Sequence, residues 1–433
     1  MKKVAITTLG CKTNQFESAA MTEALGRDGY ELVPFAAGAD IYIVNTCTVT
    51  ARTDAESRRL IRRASRWNPE GKIVVTGCYA QLAADDLKGL PGVALVMGNR
   101  EKGGVTALLQ ELEGGAPRVV VAEIAAEREL APLSLESFAE HTRAFLQVQN
   151  GCNAFCAYCI VPYARGRSRS VPYDEVIEGI RKLAARGFRE VVLTGIHLGA
   201  YGLDLTPRHE LLDLLAAVEG EGGVERLRVG SVEPNEITPE FIGFLATSRH
   251  ICPHLHLPLQ SGSTGVLERM GRRYTPQMVR ELVSSLLAAV PDMAIGFDVI
   301  AGFPGESEEE HLATCRLIGS LPVAYLHVFP YSSRPGTKAA GMPGHLSPAV
   351  IKARAEELRL IGEEKKRSFA GRFIGREMPV LVQGKSAGGL VTGLSRNYLS
   401  VTFPAPFDSR GEELPVRITG VNADGSCLGE LVV

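Results

Sequence analysis

Short apolar runs alternate with amphipathic stretches over the first part of the chain. Four runs rich in Val, Ile and Thr predict buried strands, and the residues between them repeat their apolar positions with a helical period. The predicted strands are 3–9, 40–46, 72–76 and 93–97, and the predicted helices lie near 14–27, 53–66, 82–89 and 101–113. Such alternation is typical of a parallel sheet covered by helices. We therefore predict an α/β domain with a doubly wound parallel sheet over residues 1–115.

The alternation stops and then resumes. Residues 116–143 show no clear period, which predicts a connector. Six strand–helix units then predict a partial (βα)6 barrel of parallel strands over 144–370. Its predicted strands are 145–149, 190–194, 225–230, 254–258, 293–300 and 323–329, and a charged amphipathic helix is predicted over 350–368. After Gly371, Val-rich runs broken by Gly, Asn and Pro predict a small all-β barrel of about five strands over 371–433.

The composition excludes some classes of protein. Apolar residues make up 45% of the chain and charged residues 22%, as in globular proteins. The net charge of −2 means that nucleic-acid binding would have to depend on local basic patches. No apolar run approaches the ~18 residues of a membrane span, and the start lacks a signal-peptide pattern. We expect no membrane partner and a cytoplasmic location, where clustered cysteines bind metal or do redox chemistry more often than they form disulfides.

Three of the nine cysteines lie close together in the sequence NGCNAFCAYC. Cys152, Cys156 and Cys159 follow the predicted strand 145–149, at the face of a parallel barrel that carries active sites. Thiolates are the usual ligands of iron–sulfur clusters, and three of them on a 4Fe–4S cluster leave one iron open. The alternatives are a zinc site or unrelated thiols. A structural zinc needs a fourth ligand, and residues 160–171 include no Cys, His, Asp or Glu.

Three further cysteines are far apart in the sequence but similar in position. Cys11, Cys47 and Cys78 each lie within two residues of the end of a predicted parallel strand. The carboxyl ends of such strands line one crevice, so these thiols are expected to meet and to hold a second cluster. The alternative is that they are buried free thiols, which are common. The remaining cysteines lack both features, and we interpret them as structural: Cys252, Cys315 and Cys427.

The CxxxCxxC spacing after the first barrel strand resembles the signature of radical S-adenosylmethionine (SAM) enzymes. With the three upstream cysteines, the chain resembles the methylthiotransferase family over essentially its full length. It most resembles the branch that modifies N(6)-threonylcarbamoyladenosine beside the tRNA anticodon, and its C-terminal segment is similar to a TRAM domain. The segments that carry the resemblance are TLGCKTNQFES, VNTCTVTARTDAESR, VTGCYAQ, NGCNAFCAYCIVPYARGRSRS, LTGIHLGAYG, SVEPNEIT, LHLPLQSGS, GFDVIAGFPGE and HVFPYSSRPGT.

The resemblance implies an enzyme, a transferase, that uses two 4Fe–4S clusters and SAM. Its expected reaction converts N(6)-threonylcarbamoyladenosine at tRNA position 37 to the 2-methylthio derivative by radical C–H activation, sulfur insertion and methyl transfer. The expected partners are tRNA and an electron donor such as flavodoxin or ferredoxin; the sulfur source is unknown. The alternatives are isopentenyladenosine in tRNA, an aspartate of a ribosomal protein, a non-catalytic RNA-binding scaffold and an electron-transfer protein.

The resemblance also implies cofactor contacts at predicted strand ends. Tyr158 is expected to stack on the adenine of SAM, and Glu233 to accept hydrogen bonds from ribose hydroxyls. Gly195 and Gly302 would permit close approach, and Gln260 and Ser261 are expected to touch cofactor or substrate. The alternatives are ordinary packing for Tyr158, strand-end turns for the glycines, and a solvated loop for Glu233.

Local basic patches predict where RNA binds. Arg58 and Arg62 share a face of the predicted helix 53–66, and Arg165, Arg167 and Arg169 directly follow the cysteine loop. Such residues are candidates for phosphate contacts, although a solvated face is the usual meaning of a charge run. Basic and acidic residues balance within 371–433, so RNA binding by that barrel would depend on one basic face or on aromatic side chains such as Tyr398.

Overall fold

The chain folds into two α/β units and a closed β-barrel. The computed structural model describes residues 1–112, 117–130, 133, 135, 142–221, 223–385, 389–405 and 409–432. The N-terminal unit contains a six-stranded sheet, and the central unit has six parallel strands that form an open barrel. The fold class predicted from the sequence is confirmed. The predicted domain boundaries and the TRAM designation stay predictions.

The N-terminal sheet is parallel throughout, with the order β2-β1-β3-β4-β5-β6. Its strands are β1 (Lys3–Thr8), β2 (Glu31–Leu32), β3 (Ile41–Thr46), β4 (Lys72–Gly77), β5 (Val93–Met97) and β6 (Arg118–Val120). The helices are α1 (Lys12–Arg27), α2 (Ala51–Trp67), α3 (Cys78–Leu82), α4 (Ala84–Lys88) and α5 (Val105–Gln110). All six residues of β3 are buried, because apolar clusters cover both faces of the sheet.

The central unit is a partial barrel. Strands β7, β10 and β11 pair in parallel, as do β12, β13 and β14, and two isolated bridges join β11 to the β12 region. Its strands are β7 (Arg143–Gln147), β8 (Gln149–Asn150), β9 (Arg169–Ser170), β10 (Glu190–Thr194), β11 (Arg226–Val229), β12 (His254–Gln260), β13 (Ala294–Ala301) and β14 (Tyr325–Pro330). Its helices are α6 (Val161–Arg165), α7 (Tyr173–Ala185), α8 (Leu211–Glu221), α9 (Pro239–Thr247), α10 (Thr264–Met270), α11 (Pro276–Ala289), α12 (Glu308–Ser320) and α13 (Pro348–Gly371).

The C-terminal strands close in the order β15-β16-β17-β19-β18. They are β15 (Glu377–Lys385), β16 (Leu390–Ser395), β17 (Ser400–Pro404), β18 (Glu413–Val421) and β19 (Cys427–Leu431). This barrel docks on the central unit, where Arg226 donates to the Leu394 carbonyl at 3.1 Å and Arg228 to the Arg396 carbonyl at 3.0 Å. Tyr398 stacks on His254 with ring centroids 4.2 Å apart. This contact places Tyr398 against the core instead of presenting it to RNA.

The strand predictions agree closely with the structure. Residues 93–97 and 190–194 are strands with the predicted bounds, and the long helix extends slightly beyond 350–368 at both ends. Strand β6 lies within the predicted connector, because three residues are too few to show a period. Cys252, Cys315 and Cys427 are buried, as their structural interpretation requires. Among the described residues, no helix is long and apolar enough to cross a membrane.

Candidate active site

The loop that carries Cys152, Cys156 and Cys159 begins with a turn that requires glycine. Gly151 has φ +73°, and a Cβ atom there would lie 1.8 Å from the Arg167 carbonyl oxygen. Any other residue would therefore push apart β8 and the segment that follows α6. The close approach positions Cys152 directly after the strand end.

Two cations contact the sulfur atoms of this loop. Arg272 Nη1 donates to Cys156 Sγ at 3.1 Å, and His197 Nδ1 lies 3.6 Å from Cys152 Sγ. Burial opposes protonation of His197, yet its hydrogen bonds with Cys152 and Glu236 raise its pKa to about 10. Positive groups beside sulfur favour the thiolate that iron ligation requires. Sequence reasoning missed His197 and Arg272, since each is far from the cysteine loop in the chain.

A cavity of about 410 Å³ opens beside Cys156. Its wall includes Asn153, Ser168, His197, Glu233 and Arg272. Glu233 forms an ion pair with Arg272, and burial nevertheless raises the pKa of this carboxyl group. Glu233 therefore lies beside the cysteine loop, and its contact with ribose hydroxyls stays a prediction. The wall is rich in hydrogen-bonding groups, as in a site for a polar ligand.

The sheet brings the other three cysteines together. Cys11 precedes α1, Cys47 follows β3 and Cys78 begins α3. Burial raises the pKa of Cys47 to about 11, and repulsion from Cys78 and Cys11 contributes to this rise. Three thiolates that repel one another fit a cationic iron core, which neutralises their charge. Gly77, before Cys78, has φ +98°, and a Cβ atom there would lie 2.3 Å from the Thr46 carbonyl oxygen.

A buried ionic cluster links the two cysteine regions. Arg165, at the end of α6, donates to Glu17 of α1 at 2.6 Å and to Asn150 at 3.0 Å. Lys102 also pairs with Glu17. Arg165 is 1% exposed, and Arg169 is buried with its guanidinium bonded to the Arg165 carbonyl. The structure thus corrects the RNA-binding prediction for Arg165 and Arg169, because both are buried; Arg165 joins the two units and Arg169 supports the segment that carries it. Arg167 is exposed.

A second cavity, of about 190 Å³, lies beside Cys159 and the segment that follows Cys47. Its lining includes Val49 and Thr50, just after Cys47, and Tyr158 and Cys159 of the other cysteine loop. Gln260 also lines this cavity. Tyr158 and Gln260 therefore face a different cavity from Glu233.

Polar contacts hold the segment that follows Cys47 against the barrel. Arg334 donates to Thr48 at 2.6 Å and to Asp54 at 2.5 Å, while the Ala51 backbone donates to Ser332 at 3.0 Å. Arg334 and Asp54 are both largely buried, so this ion pair is shielded from solvent. These contacts set the position of this segment relative to the barrel.

Three other predicted cofactor residues have structural partners. A Cβ atom at Gly195 would meet Gln149, whose Oε1 accepts from Ile196 N at 2.9 Å. Ser261 is 2% exposed and bonds Thr314 at 3.2 Å. A Cβ atom at Gly302 would lie 2.6 Å from a side-chain carbon of Ile351. At both glycines the neighbouring atoms are protein atoms, and the cofactor contacts expected there stay predictions. The structure gives Ser261 a packing contact instead of a place on the wall of either cavity.

The helix α2 arginines differ in their surroundings. Arg58 donates to the Tyr79 hydroxyl at 2.5 Å and lies over its ring, so it is partly engaged within the protein. Arg62 is exposed one turn further along. Of these two residues, Arg62 remains the more available for phosphate contact.

Comparison with known proteins supports the chemistry that the two thiol sets suggest. Residues 3–98 match Uncharacterized protein family UPF0004, and residues 146–318 match the Radical SAM superfamily. A threonylcarbamoyladenosine tRNA methylthiotransferase from Bacillus subtilis is 38% identical, with 96% of this chain and 94% of the relative covered. This chain belongs to the tRNA methylthiotransferase family. Enzymes of this family use SAM and two 4Fe–4S clusters.

Further relatives include both substrate branches. The threonylcarbamoyladenosine tRNA methylthiotransferase of Aquifex aeolicus is 41% identical over 88% of this methylthiotransferase and 92% of its own length. A tRNA-2-methylthio-N(6)-dimethylallyladenosine synthase from Syntrophobacter fumaroxidans is 36% identical, and the alignment covers 99% of this chain and 95% of the relative. The solved structure of the radical SAM methyltransferase TsrM from Kitasatospora setae, with cobalamin and a 4Fe–4S cluster bound, aligns with a TM-score of 0.55. That alignment covers 82% of this chain and 84% of TsrM at 18% identity, which indicates a shared fold.

Proposed function

We propose that this methylthiotransferase converts N(6)-threonylcarbamoyladenosine at tRNA position 37 to its 2-methylthio derivative. The observation that carries the proposal is the cavity lined by Thr50 and Cys159, because Cys159 belongs to one set of thiols and Thr50 follows Cys47 of the other set. A base bound there would lie between the group that removes hydrogen and the group that supplies sulfur. The threonylcarbamoyladenosine enzymes among its relatives support this choice of nucleoside.

The residues present fit the two clusters. Cys152, Cys156 and Cys159 would hold one 4Fe–4S cluster and leave an iron open for SAM. The thiols of the N-terminal sheet would hold the second cluster: Cys11, Cys47 and Cys78. With their cofactors bound, these sites supply the radical that cleaves the C–H bond, the sulfur and the methyl group. The protein's own contribution is positioning and the exclusion of water.

The side chains around the first cluster favour a bound, shielded cofactor. Arg272 and His197 place positive charge beside two of the thiolates. Glu233 on the same cavity wall is placed to accept hydrogen bonds from ribose hydroxyls of SAM, with Arg272 supporting its carboxylate. Tyr158 lines the smaller cavity and not the cavity that contains Glu233. We therefore assign it a contact with the target base instead of with the adenine of SAM.

The reaction also requires partners beyond the nucleoside. Carbon 2 of adenine carries no acidic proton, so the side-chain bases in the cavity cannot activate it and an electron must enter from a donor. We propose a flavodoxin or a ferredoxin as that donor, and Arg62 and Arg167 as exposed contacts for tRNA phosphates. The cytoplasmic location stays a prediction.

The test is a direct assay on defined tRNA. Anaerobically reconstituted enzyme is supplied with SAM, a reductant and anticodon stem-loops that carry either threonylcarbamoyladenosine or dimethylallyladenosine, and nucleosides are separated by mass. The proposal predicts a mass gain of one methylthio group on the threonylcarbamoyl nucleoside. A gain only on the dimethylallyl nucleoside would contradict the proposed substrate and keep the chemistry.

A further inference from the structure

Three neighbouring barrel strands place His256, Asp298 and His327 on one face. Asp298 of β13 pairs directly with His327 of β14, and His256 of β12 pairs with Gly296, two residues before Asp298. Because side chains alternate along strands, the three share the inner face of the barrel. Asp298 Oδ1 lies 2.8 Å from His256 Nε2 and 3.3 Å from His327 Nδ1. The chemistry assigned above does not use this cluster.

The cluster borders the smaller cavity, of about 190 Å³. Asp298 lines that cavity together with Tyr158 and Cys159. The exposed fraction of the side chains rises from 10% for His256 to 24% for Asp298 and 54% for His327, towards the open edge of the barrel. Asp298 thus adds a carboxylate to a wall that also contains the apolar Ile300 and Phe329.

Another residue holds the cluster in place. His256 Nδ1 lies 3.1 Å from the Tyr325 hydroxyl, which fixes the direction of the imidazole ring. Tyr325 fits because Gly296 beneath it has no side chain; a Cβ atom there would lie 2.1 Å from the tyrosine ring. The region therefore combines one carboxylate with two imidazoles.

This set of groups matches the chemistry of a threonylcarbamoyl substituent. Such a group carries a carboxylate, a hydroxyl and urea N–H groups. A carboxylate suits the half-exposed imidazole of His327, while N–H and O–H donors suit Asp298. A dimethylallyl group has only carbon, so it would cover these polar side chains without offering them a hydrogen bond.

We propose that His256, Asp298 and His327 form the subsite that binds the N6 substituent of the target adenosine and selects threonylcarbamoyl over apolar groups. This inference rests on the proposed function and adds the residues that determine specificity.

The test compares the binding of two anticodon stem-loops that differ only at the target base, threonylcarbamoyladenosine against unmodified adenosine. The wild-type protein is expected to prefer the modified stem-loop by about tenfold or more. Asp298→Asn and His327→Leu are expected to lower that preference at least threefold, with affinity for the unmodified stem-loop and iron content retained. His327 is half exposed, so its replacement is compatible with folding. Asp174→Asn, an exposed carboxylate on α7, is the matched control and is expected to keep the wild-type preference.

The outcomes separate this inference from the proposed function. An unchanged preference in both variants, or an equal loss of affinity for both stem-loops, overturns the subsite. Stoichiometric zinc or manganese that is bound by the wild type and lost in His327→Leu would also overturn it, because these three residues are close enough to ligate a cation. Failure of the wild type to methylthiolate the threonylcarbamoyl stem-loop overturns the proposed function instead, since turnover and binding are measured separately.

Discussion

The two sets of three cysteines are brought together in different ways. Cys152, Cys156 and Cys159, the loop triad, belong to one loop, whose spacing alone brings them together. Cys11, Cys47 and Cys78, the sheet triad, come from three strand ends and meet only when the N-terminal sheet has formed. The loop triad is therefore a local feature, whereas the sheet triad depends on the register of a whole domain. Any disturbance of the N-terminal unit is expected to affect the sheet triad first.

The electrostatic surroundings of the triads differ in the same way. Arg272 and His197 contact sulfur atoms of the loop triad directly. At the sheet triad, the nearby charge belongs to Arg165, which is also bonded to Glu17 and Asn150. One guanidinium thus supports the sheet triad and the junction between two units at once.

Removing each triad separately is expected to give the largest difference. Replacing Cys152, Cys156 and Cys159 by Ala should abolish SAM cleavage, because no open iron remains. Replacing Cys11, Cys47 and Cys78 should abolish the methylthio product but keep SAM cleavage, since the loop triad is intact. Mass spectrometry of 5′-deoxyadenosine and of tRNA nucleosides measures both. Complete loss of cleavage in the second variant would contradict separate roles.

The buried ionic junction is expected to matter for stability. Arg165→Met removes the charged hydrogen bonds to Glu17 and Asn150 and leaves only Lys102 paired with Glu17, which should lower the free energy of unfolding by about 1–3 kcal/mol. Arg167→Met, on the exposed side of the same loop, is the control and should change it by less than about 0.5 kcal/mol. Urea unfolding compares the two. Equal small effects would show that the junction adds little.

Lowering the pH is expected to destabilise the buried ionic cluster of Glu17, Arg165 and Lys102. Burial alone would raise the pKa of Glu17, but Arg165 and Lys102 outweigh it and lower the pKa from 4.5 to about 2. A carboxyl with a depressed folded-state pKa contributes stability above its unfolded pKa and loses that contribution as pH falls. Stability should therefore drop between about pH 4.5 and pH 2, and less steeply in Glu17→Gln. Parallel pH profiles of the two proteins would argue against the assignment.

Two glycines with positive φ, Gly77 and Gly151, each precede a cysteine of one triad, and replacing them is expected to have a smaller effect. Gly77→Ala and Gly151→Ala each force a positive φ on a residue with a side chain, at a cost of about 1–3 kcal/mol. Gly77→Ala is expected to weaken iron binding by the sheet triad and Gly151→Ala by the loop triad. Iron content after mild chelation measures this. Loss of the same cluster in both variants would mean that the triads are not independent.

The smallest effect is expected at the surface. Arg62→Ala should weaken tRNA binding a fewfold for all sequences and reduce the salt dependence by about one counterion. Lys182→Ala on α7, far along the chain from both triads, is the control. The measurement is the tRNA affinity of the wild type and both variants across salt concentrations. If the affinity of Arg62→Ala depends on salt as steeply as that of the wild type, Arg62 does not belong to the tRNA interface.

The fold and the placement of the two sets of cysteines were largely predictable, because both depend on patterns that the chain displays directly. Strand β5 has its predicted bounds, and the loop triad is visible from spacing. The sheet triad required only the rule that parallel strands share one edge. Strand β6 escaped prediction, since three residues carry no period.

The surroundings of the ligands were not predictable, because they depend on contacts between distant residues. Arg165 resembled a surface arginine because its partner, Glu17, lies on another domain. Ser261 stands at a strand end but bonds Thr314 of α12. Similarly, the role of Arg272 follows only from its contacts with Cys156 and Glu233, which are distant in the sequence and are brought close by the barrel fold.

The most direct test of two separate triads around one cavity is anaerobic iron and sulfide analysis of the wild type and both triple-alanine variants. Our account predicts about eight irons in the wild type and about four in each variant, because each triad holds one 4Fe–4S cluster. About four irons in the wild type, unchanged when Cys11, Cys47 and Cys78 are replaced, would contradict it. The sheet triad would then hold no cluster, and sulfur insertion would lose its physical basis.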